Sequence, residues 1–381
     1  MAVVKFGDVV REVKSKIDRN NNPYEYYIAG DHMDSEDLHL HRKGSFATDD
    51  VGPAFIREFL PGQILYGSRR TYLKKVAVAD FSGVTANTTF VLETKNEEVL
   101  RQKLIPFIML SDAFTEWSIS KSKGSTNPYV LFSDLAGFEF ELPSIEEQDK
   151  LVDLLWSMDD AIVSYKEAIA KTDELVKSQF IEMFYDKGYP VKSIGDVVDR
   201  KIARVAKVFS KTDEIQYLDI SSIDNASKTV TGLTTYTLVD APSRAQYVLA
   251  KDDIVYSTVR PNLQNIAKNP YEEENVVGST GFCVLRCTGV STGYMWGVVN
   301  STLFTDTMIN KASGANYPAV TDKVVLAYEI PIPPEDQQLA YEHLVRQSDK
   351  SKFALKDTMK SVEAMMNKIV TNSFKVDREE G

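Results

Sequence analysis

The feature that most constrains this chain is that it repeats itself. At an offset of 190 residues, Ile64, Tyr66 and Arg70 return as Ile254, Tyr256 and Arg260, and Ser111, Phe114, Thr115 and Ile119 return as Ser301, Phe304, Thr305 and Ile309. Lys121, Gly124 and Pro128 return as Lys311, Gly314 and Pro318. Pro143, Gln148, Leu154, Asp159 and Phe184 return as Pro333, Gln338, Leu344, Asp349 and Phe374. Gly7-Asp8-Val9-Val10 comes back as Gly195-Asp196-Val197-Val198, two residues out of step, and the match drifts between Phe90 and Ser111, where loops of unequal length are expected. The identities are scattered, but so many at one spacing mean one supersecondary unit used twice. A chain of 381 residues is also too long for one ordinary core.

Each copy runs in the same order, a mixed domain and then a long helix. The boundaries read from the sequence are a domain at 1–145, a central spacer helix at 146–185, a second domain at 186–334, a C-terminal spacer helix at 335–376 and a tail at 377–381. The expected class is α+β. Short alternating runs such as Gln63-Ile64-Leu65-Tyr66, Val76-Ala77-Val78, Thr89-Phe90-Val91-Leu92 and Phe138-Glu139-Phe140-Glu141-Leu142 predict strands. Thr94-Lys95-Asn96-Glu97 fits a capping box and predicts a helix directly after it.

The two helices carry matched seams. Leu151, Leu155, Met158, Ile162, Tyr165, Ile169, Thr172 and Val176 alternate spacings of four and three, as do Tyr341, Val345, Ser348, Lys352, Leu355, Met359, Val362, Met366 and Ile369. Such a heptad keeps one face toward a partner helix. One seam alone would suit a helix packed on its own domain. Two in register, with a globular domain between them, predict an antiparallel coiled coil and a pseudo-two-fold repeat. Ser348 and Lys352 are polar interruptions that suit a register mark or an opening toward a partner.

The chemistry-bearing motifs point away from catalysis. No Gly-x4-Gly-Lys-Ser/Thr phosphate loop is present. Asn127-Pro128-Tyr129 has part of the motif with which adenine methyltransferases hold a flipped base, but it lacks the second proline and follows no Gly-rich cofactor loop, so it reads as a turn. His39 and His41 read as surface neighbours, and no histidine or carboxylate cluster suggests a metal site. Cys283 and Cys287 lie four apart in an alternating run, as two reduced thiols on one strand face would. No apolar run is long enough for a membrane span, and the start lacks the pattern of a secretory signal, so a cytoplasmic protein without a cofactor or metal of its own is expected.

The net charge of −11 argues at first sight against nucleic acid. Its distribution weakens the objection: −6 falls in residues 146–185, while 1–145 carry −3 and 186–334 only −1. Each domain also holds two polar, basic, aromatic loops. The first domain has residues 68–75, with Arg69, Arg70, Tyr72 and Lys74, and residues 121–129, with Lys121, Lys123 and Asn127. The second has residues 258–265, with Arg260, Asn262 and Gln264, and residues 311–318, with Lys311, Asn316 and Tyr317. These side chains suit phosphates and base edges. Cations common to both copies, Arg70 with Arg260 and Lys121 with Lys311, suit phosphate contact or structure; residues that differ suit base reading.

The arrangement resembles the DNA specificity subunits of Type I restriction–modification systems. The resemblance rests on the repeat, on Leu-Pro-Ser-Ile-Glu-Glu-Gln (142–148) and Ile-Pro-Pro-Glu-Asp-Gln-Gln (332–338) leading into helices, and on Ser-Gln-Phe-Ile-Glu-Met-Phe (178–184) closing the first of them. Ser279-Thr280-Gly281-Phe282 and Ala312-Ser313-Gly314 add to it. It implies a non-catalytic subunit whose two target recognition domains each read half of an asymmetric site in double-stranded DNA. Two methyltransferase subunits would bring S-adenosylmethionine, and two restriction and translocation subunits would bring ATP and Mg. The family's subunits can carry an N-terminal extension that this chain, whose repeat starts near residue 1, is not expected to have. A coiled-coil adaptor without DNA readout and a fragment of a DNA adenine methyltransferase stay open as alternatives.

Overall fold

A computed structural model describes residues 2–314 and 316–374. It has two compact units: one joins the chain up to Tyr165 with the chain from Lys356 onward, and the other is Lys166–Leu355. The divisions fall inside the two long helices, so each unit takes a segment of both.

In the first unit, Val10–Val13, Thr89–Thr94, Ile64–Gly67 and Val76–Val78 form an antiparallel sheet in that order. A second sheet runs Gly44–Ser45, Tyr26–Ile28, Gly83–Ala86 and Phe55–Phe59, and its central pair is parallel. In the second unit, Thr234–Thr237, Glu214–Leu218, Val276–Ser279 and Ala245–Val248 repeat that sheet strand for strand, parallel pair included. Ile266–Lys268, Ile254–Ser257 and Phe282–Leu285 repeat the other sheet. Its outer strand is reduced among the described residues to a single bridge between Val198 and Cys287.

The matched residues explain why both copies fold alike. Ile64 and Tyr66 face one core and Leu65 faces another; Ile254 and Tyr256 face one core and Val255 another. A strand buried on both sides favours apolar residues at consecutive positions, as Ile64-Leu65-Tyr66 and Ile254-Val255-Tyr256 supply. Ser111 and Ser301 cap the helices Asp112–Ser120 and Thr302–Lys311, each accepting the amide hydrogen three residues on, from Phe114 and Phe304, at 3.2 Å. Cys283 and Cys287 face the same core and form no disulfide, and burial pushes both thiols up, Cys287 to about 12.

The expected helix starting at Thr94-Lys95-Asn96-Glu97 is absent; the next helical element is the 3-10 turn Gln102–Leu104, which runs into the helix Ile105–Leu110. The capping residues are used otherwise. Thr94 ends a strand and its hydroxyl donates to the Leu100 carbonyl at 2.8 Å, while the Glu97 carboxylate accepts from the Gln102 amide at 3.1 Å instead of reaching back to Thr94. The result is a turn.

The long helices are Ile145–Phe184 and Glu335–Ser373. Pro143 and Pro334 precede them, and Ser144 with Glu147 forms a reciprocal cap on the first. Gln148 and Gln338 are buried one turn inside. Gln148 donates to the Pro143 carbonyl at 2.9 Å and accepts the Arg101 amide at 3.0 Å; Gln338 donates to the Pro333 carbonyl at 2.9 Å and accepts the Ser291 amide at 2.8 Å. One glutamine in each copy therefore ties the helix start to its domain.

All the apolar seam positions lie on buried or half-buried faces, including Met158, Ile162, Tyr165, Ile169, Leu355, Met359 and Val362. In the first unit, Leu151 and Leu155 share a core with Met366, Ile369, Val370 and Phe374. In the second, Val176, Phe180 and Phe184 meet Tyr341 and Val345, with the Phe180 and Tyr341 rings 5.2 Å apart. A Cβ on Gly297 would stand 2.5 Å from Phe180 and 2.7 Å from Tyr341, so only glycine admits this contact. The polar seam residue Lys352 reaches Asp173 at 2.6 Å. From Asp173 to Phe180 the partner moves back from Lys352 to Tyr341, so the helices are antiparallel.

The buried glutamines yield a stability prediction. Gln148→Leu and Gln338→Leu should each lower stability by about 1–3 kcal/mol, because each leaves buried backbone groups without partners. Thermal denaturation monitored by circular dichroism checks this, with exposed Gln347→Leu on the C-terminal helix as the near-neutral control.

Candidate nucleic-acid interface

In each unit the two candidate loops are stitched into one structure. The first loop leaves a core strand and turns through a single 3-10 turn, Thr71–Leu73 or Pro261–Leu263. The second follows the serine-capped helix. The Arg70 amide donates to the Pro128 carbonyl at 2.7 Å, and the Arg260 amide to the Pro318 carbonyl at 2.7 Å. Val130 donates to Ser68 at 3.0 Å, and Val320 to Thr258 at 2.9 Å. Each second loop closes on itself through paired backbone bonds, Lys123 with Tyr129 and Ser313 with Ala319, around a left-handed glycine, Gly124 or Gly314. All these bonds keep the 190-residue offset.

The 3-10 turns are flanked by four non-glycine residues in the left-handed region: Arg70 (φ 51°) and Lys74 (φ 45°), Arg260 (φ 50°) and Gln264 (φ 50°). Such a residue costs on the order of 1–3 kcal/mol and persists where its surroundings hold it. Here the stitching to the second loop holds Arg70 and Arg260, and bonds across the turn (Leu73 amide to Arg70, Leu263 amide to Arg260) close it at 2.8 and 2.9 Å.

The side chains then divide by role. Arg69, Arg70, Tyr72 and Asn127 are exposed in the first unit, as are Asn262, Lys311, Asn316 and Tyr317 in the second. Exposed Lys121 lies over the Trp117 ring at 4.4 Å, and Arg260 stacks over the Tyr317 ring at 4.5 Å. Lys123 is paired with Asp134 at 2.9 Å, half-exposed. Lys74 is placed differently from the base-reading role its sequence position suggested. Its ammonium lies 3.0 Å from both Glu36 and Asp112 and is mostly covered, so it anchors the loop. Burial alone would lower its pKa, but the two carboxylates outweigh burial and hold it above the ordinary lysine value. Gln264 is half-buried, with its carbonyl oxygen accepting from Lys228 at 2.9 Å.

Sequence reasoning missed Glu36, Asp112, Trp117, Asp134 and Lys228, which support the loops from elsewhere in each unit. Only Trp117 and Asp134 stand close enough in sequence to a candidate loop to have drawn notice. Among the described residues no group of three or more His, Cys, Asp or Glu could hold a metal ion, and no helix is long and apolar enough to cross a membrane. His39, read as a surface residue, instead meets the central helix, with Nε2 2.7 Å from Asp159 Oδ2. The hydrogen bond with Asp159 raises its pKa above about 6.5 against the opposing effect of burial.

Comparison with known proteins follows the same lines. Residues 1–171 match the family described as Type I restriction modification DNA specificity domain. The chain is 25% identical over 181 residues to the Type I restriction enzyme EcoDI specificity subunit of Escherichia coli, covering 46% of this chain and 39% of that one. It is 23% identical over 185 residues to the HindI specificity subunit of Haemophilus influenzae, covering 47% and 40%. The match thus spans about two fifths of the length of these relatives. In fold, it is similar to the Type-I restriction-modification system S subunit from M. genitalium, with TM-score 0.55, 13% identity and 99% and 96% coverage. It is also similar to a chain from a structure of complex assembly and conformational transition of the type I R-M system, with TM-score 0.57, 18% identity and 99% and 98% coverage.

The His39 contact gives a pH prediction. A raised histidine pKa contributes stability that is full below about pH 6.5 and is lost as pH rises through the folded value. Intrinsic-rate-corrected amide exchange in residues 33–43 should therefore quicken as pH rises above about 6.5, and His39→Gln should remove that dependence.

Proposed function

From the match of residues 1–171 to the Type I restriction modification DNA specificity domain, we propose that the chain is the DNA-recognition subunit of such a system. It reads a bipartite, asymmetric site in double-stranded DNA, one half with each unit, and it docks two methyltransferase and two restriction and translocation subunits. It performs no chemistry itself; S-adenosylmethionine, ATP and Mg belong to those partners, and the assembly works in the cytoplasm. The observation that carries the reading is the pair of stitched loops. Their backbones repeat across both units while the exposed side chains differ, which is what two readers of different half-sites require.

Within the loops, phosphate contact falls to Lys121 and Lys311 and to Arg70 and Arg260, which occupy equal places in both copies and carry no sequence information. Base contact falls to residues that differ: Arg69, Tyr72 and Asn127 in the first unit, and Asn262, Gln264, Asn316 and Tyr317 in the second. Lys123 and Lys74 hold the first loop pair in shape through Asp134, Glu36 and Asp112.

Sequencing of methylated positions in DNA from cells carrying this chain with its methyltransferase partner tests the proposal. A single split motif should appear, and the purified chain alone should transfer no methyl group; transfer by the chain alone would return it to the methyltransferase alternative. An adaptor without DNA readout would add no salt-dependent duplex binding to the assembled complex. In that complex, Lys121→Ala or Lys311→Ala should weaken binding to all duplexes alike and reduce the salt slope by about one. Asn316→Ala should relax one base position at a cost of about 1–3 kcal/mol.

A further inference from the structure

The two copies close their reading loops with a lock at the same place but of opposite chemistry. The 3-10 turn of each first loop ends in a left-handed residue, Lys74 or Gln264. In each unit a second left-handed residue, from the chain that follows the first strand of the other sheet (Tyr26–Ile28 or Glu214–Leu218), reaches that residue. It is Glu36 (φ 56°) in the first unit and Lys228 (φ 55°) in the second, 192 positions apart. Glu36 donates its amide to the Lys74 carbonyl at 3.1 Å and places its carboxylate 3.0 Å from the Lys74 ammonium. Lys228 donates to the Gln264 carboxamide oxygen at 2.9 Å, while its neighbour Asn225 donates to the Leu263 carbonyl at 3.2 Å.

The exchange of charge changes what each lock leaves available. In the first unit the cation belongs to the loop and is neutralised twice, by Glu36 and Asp112. In the second the cation belongs to the lock, and the position matching Asp112 is Thr302, which brings no carboxylate. Lys228 instead faces Lys177 and Asp173 on the central helix, and Asp173 is already paired with Lys352 at 2.6 Å. An ammonium has only donors, so it selects the oxygen of the Gln264 side chain and decides an amide orientation that is otherwise nearly symmetric. The amide nitrogen of Gln264 has no hydrogen-bond partner among the described residues and is not buried, so its donors are open to solvent.

We infer that Lys228 is a positioning residue for base reading in the second unit, holding Gln264 so that it presents N–H donors to an acceptor edge in the major groove. The inference rests on the DNA-recognition reading above. The acceptor edges in question are purine N7, guanine O6 and thymine O4. The first unit lacks this device, since its lock consumes the polar end of Lys74. Burial and the nearby Lys177 push the Lys228 ammonium down to about 8.

The test is the methylated motif in cells carrying the full chain and its methyltransferase partner, compared for wild type, Lys228→Met, Lys228→Arg, Gln264→Ala and the double variant Lys228→Met/Gln264→Ala. Lys228→Met should lower discrimination about tenfold at one base pair of one half-site, the same pair that Gln264→Ala relaxes. Lys228→Arg should restore it, and the double variant should be no worse than Gln264→Ala alone. A motif unchanged by Lys228→Met, or loosened equally in both half-sites, overturns the inference. Should Lys228→Met lower the thermal midpoint of the purified chain, Lys228→Ala, which also removes the donor, is judged by the same base-pair criterion. Failure of the wild-type assembly to methylate any split motif, with a methyltransferase subunit active on a known specificity partner, would defeat the DNA-recognition reading itself and is a separate outcome.

Discussion

Each unit of this protein depends on helix segments that are far apart in the chain. The core of the first contains Leu155 from the central helix and Val370 and Phe374 from the C-terminal one; the core of the second contains Phe180 and Phe184 from the former and Tyr341 and Val345 from the latter. The first core is not complete from one contiguous stretch, and the second, built within Lys166–Leu355, joins helix segments from the two ends of that stretch. The buried amides of Gln148 and Gln338 make the joint specific, since each satisfies backbone groups of both its helix start and the adjoining domain. Long-range pairing of this kind is slow to form but leaves few alternatives once made.

The same buried framework makes the loops rigid. Apolar strands covered on both faces, a serine-capped helix and a left-handed glycine fix both ends of each loop pair, and backbone bonds cross between them. Left-handed Arg70, Lys74, Arg260 and Gln264 are affordable only because of this support. Side chains on such a support can be exchanged without disturbing the fold, because the backbone's own donors and acceptors hold the shape. On the proposed function, that is the physical condition for two copies of one unit to recognise different sequences.

The copies have diverged where the loops meet their surroundings. Trp117 carries Lys121 in the first unit, whereas in the second Tyr317 carries Arg260. Glu36 and Asp112 hold Lys74, whereas Lys228 holds Gln264. The outer strand Val10–Val13 of the first unit shrinks to one bridge in the second. Duplication therefore preserved backbone wiring more strictly than side-chain partners.

Much of this was legible in the sequence because it is periodic. The 190-residue offset, the heptad seams and the strand alternation are one-dimensional records of burial, and Ile64, Tyr66, Ser111, Gln148 and Phe184 recur with their partners because each does the same job twice. The helix expected after Thr94 failed for a local reason: the same capping residues served a turn once Gln102 and Leu100 competed for them. The site was legible only as two separate loops. That they form one surface, that Lys74 is neutralised, that His39 meets Asp159, and that Glu36 and Lys228 occupy equal places were decided by tertiary structure. Contacts between residues 38 to 120 positions apart follow from how strands and helices pack, and a linear pattern of residue types does not encode which charged side chain will find which partner.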